Sequence, residues 1–129
     1  MIYPTTAAVT LLVLLLYMVL TINVALARGK YRVLAPATTG NETFERIHRV
    51  QMNTLEQMVF LLPAMWLYAF ALTDVGAAVG GLIWIVGRVM YAVAYVGNPG
   101  SRSAGYTIAL VAAVGLYLGA AYGVLRVLL

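Results

Sequence analysis

Two arginines, an asparagine and a glutamate recur at one-turn spacing in the stretch Phe44-Glu45-Arg46-Ile47-His48-Arg49-Val50-Gln51-Met52-Asn53-Thr54-Leu55-Glu56. On a helix turning about 100° per residue, Arg46, Arg49, Asn53 and Glu56 fall at about 0°, −60°, −20° and −80°, one stripe under a quarter of the circumference. A second stripe holds Trp84, Arg88, Tyr91 and Tyr95 at about −40°, 0°, −60° and −20°. Guanidinium groups grip carboxylates through paired N–H bonds, phenols and amides add neutral partners, and a carboxylate can hold an ammonium. Arg46, Arg49, Arg88 and Arg102 face only Glu45 and Glu56, so the surplus is positive. Such a cavity suits a small anionic ligand that also carries an amine.

Glutathione, with two carboxylates, one amine and a thiol, has that chemistry. Its thiol is a weak nucleophile until ionised, and a neighbouring guanidinium favours the thiolate. Arg102, between a Pro-Gly turn and the following helix, is the candidate for that role, and Ser103 adds a hydroxyl donor. The competing reading makes Arg102 an interfacial anchor for lipid phosphate. In that reading Glu56 pairs with Arg88 inside the bundle, because an arginine within a span costs about 2.5–3.5 kcal/mol and must be paired, snorkelling or lining a wet cavity.

The elements that must position these side chains are membrane spans. Of 129 residues, 64% are hydrophobic and 9% charged, too few charges for a soluble surface, which uses about a quarter. Spans need roughly 20 apolar residues, and four are predicted, at about 5–27, 44–72, 75–96 and 104–128, forming a single domain over 1–129. The first carries no charge, and the absence of a basic region ahead of it favours a permanent helix over a cleaved signal. Asn41 or Thr43 is placed to cap the second, which Pro63 is expected to kink. Gly115, Gly119 and Gly123 give the fourth a close-packing pattern.

Five of eight basic residues lie in or beside the first connector, Arg28 to Glu42, and Arg102 in the third, which places both on the cytoplasmic side and the termini opposite. The chain is thus expected to be an antiparallel four-helix membrane bundle, in a bacterial inner membrane or the endoplasmic reticulum. It has no cysteine, hence no thiolate site of its own, and a lone His48 argues against a metal centre. A net charge of +4 spread among apolar residues argues against nucleic acid.

The motif Phe44-Glu45-Arg46-x-x-Arg49-x-Gln51-x-Asn53-x-x-Glu56 resembles the signature of the MAPEG superfamily, membrane-associated proteins in eicosanoid and glutathione metabolism. Tyr31-Arg32-Val33 leading to Thr38-Thr39-Gly40, and Gly87-Arg88-Val89-x-Tyr91-x-x-Ala94-Tyr95 followed by Arg102-Ser103, agree with it. The resemblance implies a homotrimer of four-helix subunits with glutathione between neighbours near the cytoplasmic face and a hydrophobic or lipid electrophile arriving from the bilayer. It also implies that Arg49, Asn53, Glu56, Tyr91 and Tyr95 hold glutathione, with Arg28 and Gln51 in contact, Arg88 in support and Arg102 activating the thiol.

Gly29 and Gln57 depart from the leukotriene-synthesising members, which carry arginine and tyrosine there. The Gly87–Tyr106 region is nearer the prostaglandin E synthase type, except that Gln51 replaces its histidine. The expected function is a membrane glutathione transferase, with conjugation or reduction of lipid hydroperoxides as its chemistry. The alternatives are a non-catalytic binder of lipid or glutathione and a prostaglandin E synthase-like isomerase. A channel predicts a continuous polar path that the distal halves of the spans lack.

Overall fold

The computed structural model describes all 129 residues and consists of four long helices. They are α1 (Pro4–Tyr31), α2 (Glu42–Ala71), α3 (Asp74–Gly97) and α4 (Ser103–Leu128), with one 3-10 turn at Pro99–Ser101 before α4. Each is long and apolar enough to cross a membrane. Their outer faces carry exposed Leu11, Val93 and Val111, as expected of side chains that meet lipid tails rather than water.

Local chemistry sets the ends. Asn41 caps α2, its Oδ1 accepting from the Phe44 amide at 3.0 Å, and Thr73 caps α3, its Oγ1 accepting from the Gly76 amide at 3.0 Å. Helix α2 continues unbroken through Pro63. The first helix runs four residues past the predicted end, so Arg28 and Lys30 belong to its last turn and not to a loop. Cations there complement the negative end of the helix dipole. Arg28 also donates from Nη1 to the Ala37 carbonyl at 2.7 Å, folding the connector back onto the helix. Charges that the sequence placed in the connector thus help to stabilise this extra turn.

The chain runs up and down. At one end Asp74 accepts from the backbone amides of Thr5 and Thr6 at 3.0 and 2.8 Å, giving partners to two of the N–H groups that open α1. The other end gathers the start of α2, the end of α3 and the start of α4. Helices α2 and α3 each pack on both α1 and α4, which occupy opposite corners. A core of Val13, Leu61, Met65, Ala77, Trp84 and Ala109 fills the middle.

Small residues bring the backbones together, as bundles without a water-driven hydrophobic force require. Gly119 meets the Tyr68 ring and Gly123 meets Ala71, but nothing lies within 4 Å of a side chain placed at Gly115. The four-residue glycine pattern is therefore used twice, not three times, because Gly115 has turned to the outer face. The closest backbone-to-backbone approach is elsewhere. A methyl group at Gly87 would stand 2.6 Å from the Ala109 nitrogen and 2.8 Å from the Gly105 carbonyl oxygen, both backbone atoms of α4. Gly87→Ala is expected to push α3 from α4 and cost about 1–3 kcal/mol, read as a lower Tm in detergent, whereas Gly115→Ala leaves the Tm in place.

Candidate functional site

Arg88 is the deepest charge, 1% exposed near the middle of the bundle. Its Nη2 donates to Thr54 Oγ1 at 2.8 Å, and that hydroxyl donates in turn to the Val50 carbonyl at 2.8 Å. Thr54, fully buried, was not among the residues singled out from the sequence. Its signal was its place one turn below Val50, next to Asn53, on the side of α2 that faces α3. The Nε and Nη1 atoms of Arg88 are buried without a partner.

A line of two stacked rings between two cations leads outward from Arg88. Its Cζ lies 4.1 Å from the centroid of the Tyr91 ring, Tyr91 stacks on Tyr95 at 5.4 Å, and the Arg102 Cζ lies 5.8 Å from the Tyr95 ring. Ring faces carry negative quadrupole charge, so such contacts stabilise guanidinium groups by about 0.5–2 kcal/mol each. Tyr106 joins this line 6.2 Å from Tyr91. It stands one turn beyond Arg102 and Ser103, the spacing by which sequence could have marked it.

Arg49 donates to Glu56 Oε1 at 3.2 Å, and Asn53 donates from Nδ2 to Glu56 Oε2 at 3.4 Å. Both charged partners are half exposed, so the pair contributes about 0–1 kcal/mol to stability and gives way cheaply to a ligand. The pairing of Glu56 with Arg88 weighed in the sequence is not formed. Glu56 faces outward to Arg49, and the Arg88 charge is met by Thr54 and Tyr91.

Three clefts open along this face. Arg46, Arg49 and Tyr95 line one of about 420 Å³. Arg102, Ser103 and Tyr106 line another of about 410 Å³. Tyr106 also lines the third, a groove of about 220 Å³ between α2 and α4 that begins at Asn53 and Glu56 and continues to Phe60 and Leu110. Polar groups thus lead directly into an apolar channel. Arg102 itself donates from Nη1 to the Pro99 carbonyl at 2.7 Å, which anchors its side chain on the turn before α4.

Arg28 and Gln51 stand apart from this face. Gln51 donates from Nε2 to Thr21 Oγ1 of α1 at 3.0 Å, and Arg28 stacks over the Phe44 ring at 4.9 Å. Since α1 and α4 lie on opposite sides of α2, the chain presents two separate polar faces at one end. Arg49, Asn53, Glu56, Tyr91, Tyr95, Arg102 and Ser103 belong to the first, while Arg28 and Gln51 belong to the second. His48 stacks on Phe44 at 5.9 Å.

Residues 6–122 match the MAPEG family. The chain is 45% identical over 119 residues to an uncharacterized protein of Synechocystis sp., covering 92% of this chain and 87% of that one. It is 36% identical over 98 residues to leukotriene C4 synthase of Bos taurus, covering 76% and 65% of the two chains. With human microsomal glutathione S-transferase 2 the identity is 34% over 89 residues, or 69% and 60%. The match therefore spans less than two thirds of the length of either of these last two proteins.

Proposed function

The chain belongs to the MAPEG family, and on that premise we propose that it is a glutathione-using membrane enzyme that attacks hydrophobic electrophiles with a guanidinium-stabilised thiolate. The observation that carries this reading is the unbroken line Arg88–Tyr91–Tyr95–Arg102 beside a Glu56 carboxylate held only at the surface. Arg49 and Asn53 supply donors for a ligand carboxylate, Glu56 an acceptor for its ammonium, and Arg102 with Ser103 the donors at the sulfur. The adjoining α2–α4 groove takes the apolar electrophile.

In conjugation the sulfur forms a bond to carbon and a halide or alkoxide leaves. With a lipid hydroperoxide the sulfur takes the terminal oxygen and the alkoxide leaves with a proton; a second glutathione then displaces hydroxide from sulfur, giving the disulfide and water. Either step gains from excluding water, which strengthens each charge contact.

The two separated faces support a homotrimer in which Arg28 and Gln51 of one subunit complete the Arg49–Arg102 face of its neighbour. The basic end lies toward the cytoplasm by its lysine and arginine bias. Purified protein in detergent with glutathione and an aryl halide is expected to turn over and to show ultraviolet thiolate absorbance. Mixed oligomers of Arg28→Ala and Arg102→Ala subunits should recover activity that each parent lacks, because one interface in the mixture is intact. Absence of turnover with every electrophile, with glutathione still bound, would replace the enzyme by a binding protein; absence of recovery would place the whole site within one subunit.

A further inference from the structure

Gln57 is not among the residues proposed to hold glutathione. It lies one turn below Asn53 on α2 and lines the same groove, where the leukotriene-synthesising members of the family carry tyrosine. Its amide orientation is fixed by chemistry. The indole Nε1 of Trp84 can only donate, and it donates to Gln57 Oε1 at 3.1 Å. The oxygen is thereby engaged, and Nε2 is left as a buried donor with no partner. Asn53 is oriented the same way by its own bond, since Nδ2 donates to Glu56 and Oδ1 remains a buried acceptor with no partner.

One orphaned donor and one orphaned acceptor thus stand a helical turn apart, where residues at this spacing are neighbours with Cβ atoms about 5–6 Å apart. Phe60, Leu110 and Ala113 line the same groove below them. Orphaned groups of this kind cost free energy until a ligand supplies their partners. A hydroxyl is both donor and acceptor and satisfies both at once; a carbonyl satisfies only Gln57, and a hydrocarbon neither.

We infer that Asn53 Oδ1 and Gln57 Nε2 form a hydroxyl-reading subsite, so that Gln57 selects acyl chains bearing a hydroxyl or hydroperoxide group over plain hydrocarbon chains. This deepens the reading of the α2–α4 groove as the electrophile channel and rests on it. Trp84 is a positioning residue, acting through the Gln57 amide.

The test is a binding ladder. In nanodiscs, with Trp66→Phe leaving Trp84 as the single tryptophan of the two present, undecanol, undecanone and undecane are titrated as mole fractions in the bilayer against Trp84 fluorescence. Undecanol should bind about tenfold tighter than undecane, with undecanone between them. Gln57→Met should bring undecanone to the undecane level. Equal binding of the three by the unsubstituted chain would overturn the inference with no variant needed, and would mean that the two amides satisfy one another. So would a preference for undecanone over undecane that survives Gln57→Met.

A second arm reads turnover. Gln57→Met should lower the ratio of kcat/KM for cumene hydroperoxide to that for chlorodinitrobenzene by about tenfold; an unchanged ratio counts against Gln57. If the protein turns over neither compound, the enzymatic reading falls, and the ladder still decides the subsite.

Discussion

Replacing Arg102 by alanine is expected to lower kcat/KM toward an aryl halide by about 10²–10³-fold, the range seen when one preorganised donor to a developing or resident anion is removed. Glutathione affinity is expected to change little, because in the proposed site Arg49, Asn53 and Glu56 hold the backbone of the ligand and Arg102 meets only its sulfur. The split is the diagnostic: thiolate absorbance disappears while binding stays. Geometry gives the reason for expecting so large an effect from one side chain. Arg102 is tied to the Pro99 carbonyl at 2.7 Å and set against the Tyr95 ring, so its charge is already in place before the ligand arrives and no reorganisation cost is incurred at the reacting step. Arg102→Lys should fall between, keeping a point charge but losing the planar contacts to both partners. Should Arg102→Ala weaken glutathione binding as much as it slows turnover, its role would be that of a binding group, and thiolate stabilisation would have to come from elsewhere, with Ser103 the nearest candidate.

The helices were legible in the chain because the membrane leaves so little choice. Runs of apolar residues as long as the bilayer, parted by polar connectors with Asn41 placed as a cap, leave few readings, and all four helices appear within a few residues of the expected spans. The polar stripes were legible for a related reason: a polar side chain on such a helix is costly unless it faces the bundle or water, so Arg49, Asn53 and Glu56 on one helix and Arg88, Tyr91 and Tyr95 on another could be assigned faces from spacing alone. What spacing could not supply was partnership between helices. Whether Glu56 would turn inward to Arg88 or outward to Arg49 depends on a rotation of a few tens of degrees in α2, which one-dimensional periodicity does not resolve. The same limit hid Thr54, whose hydroxyl looks in the sequence like an ordinary helix residue hydrogen-bonded to its own backbone. It made Gly115 look equivalent to Gly119, although one more turn of α4 carries it away from its neighbours. Gln51 was the exception: its position at about 140°, off the main stripe, suited a contact with another subunit or with a different part of the ligand, and within the chain its amide is bonded to Thr21 on α1.

The stability of the buried cation makes a second strong prediction, in which the smaller change does the greater harm. Arg88 has one hydrogen-bond acceptor, Thr54 Oγ1, and two buried nitrogens with none. Thr54→Val is nearly isosteric, yet it removes that acceptor and leaves the whole charged group to Tyr91 alone, at an expected cost of about 2–3 kcal/mol. Arg88→Met removes the charge together with its desolvation penalty and keeps much of the volume; replacements of this kind are often neutral or stabilising. Unfolding in detergent should therefore show a clear loss for Thr54→Val, little loss or a gain for Arg88→Met, and near-complete recovery in the double variant. Thr54→Ser, which keeps the hydroxyl, should behave like the parent. Such a cycle isolates the pairwise interaction, which is expected to exceed about 1 kcal/mol between residues in direct contact. If Thr54→Val costs the same with and without Arg88, its effect belongs to packing, and the guanidinium must be neutralised by some other group. If Arg88→Met is itself severely destabilising, the two orphaned nitrogens must have partners in the assembled protein, and the positive surplus proposed to attract an anionic ligand would be smaller than the single chain displays.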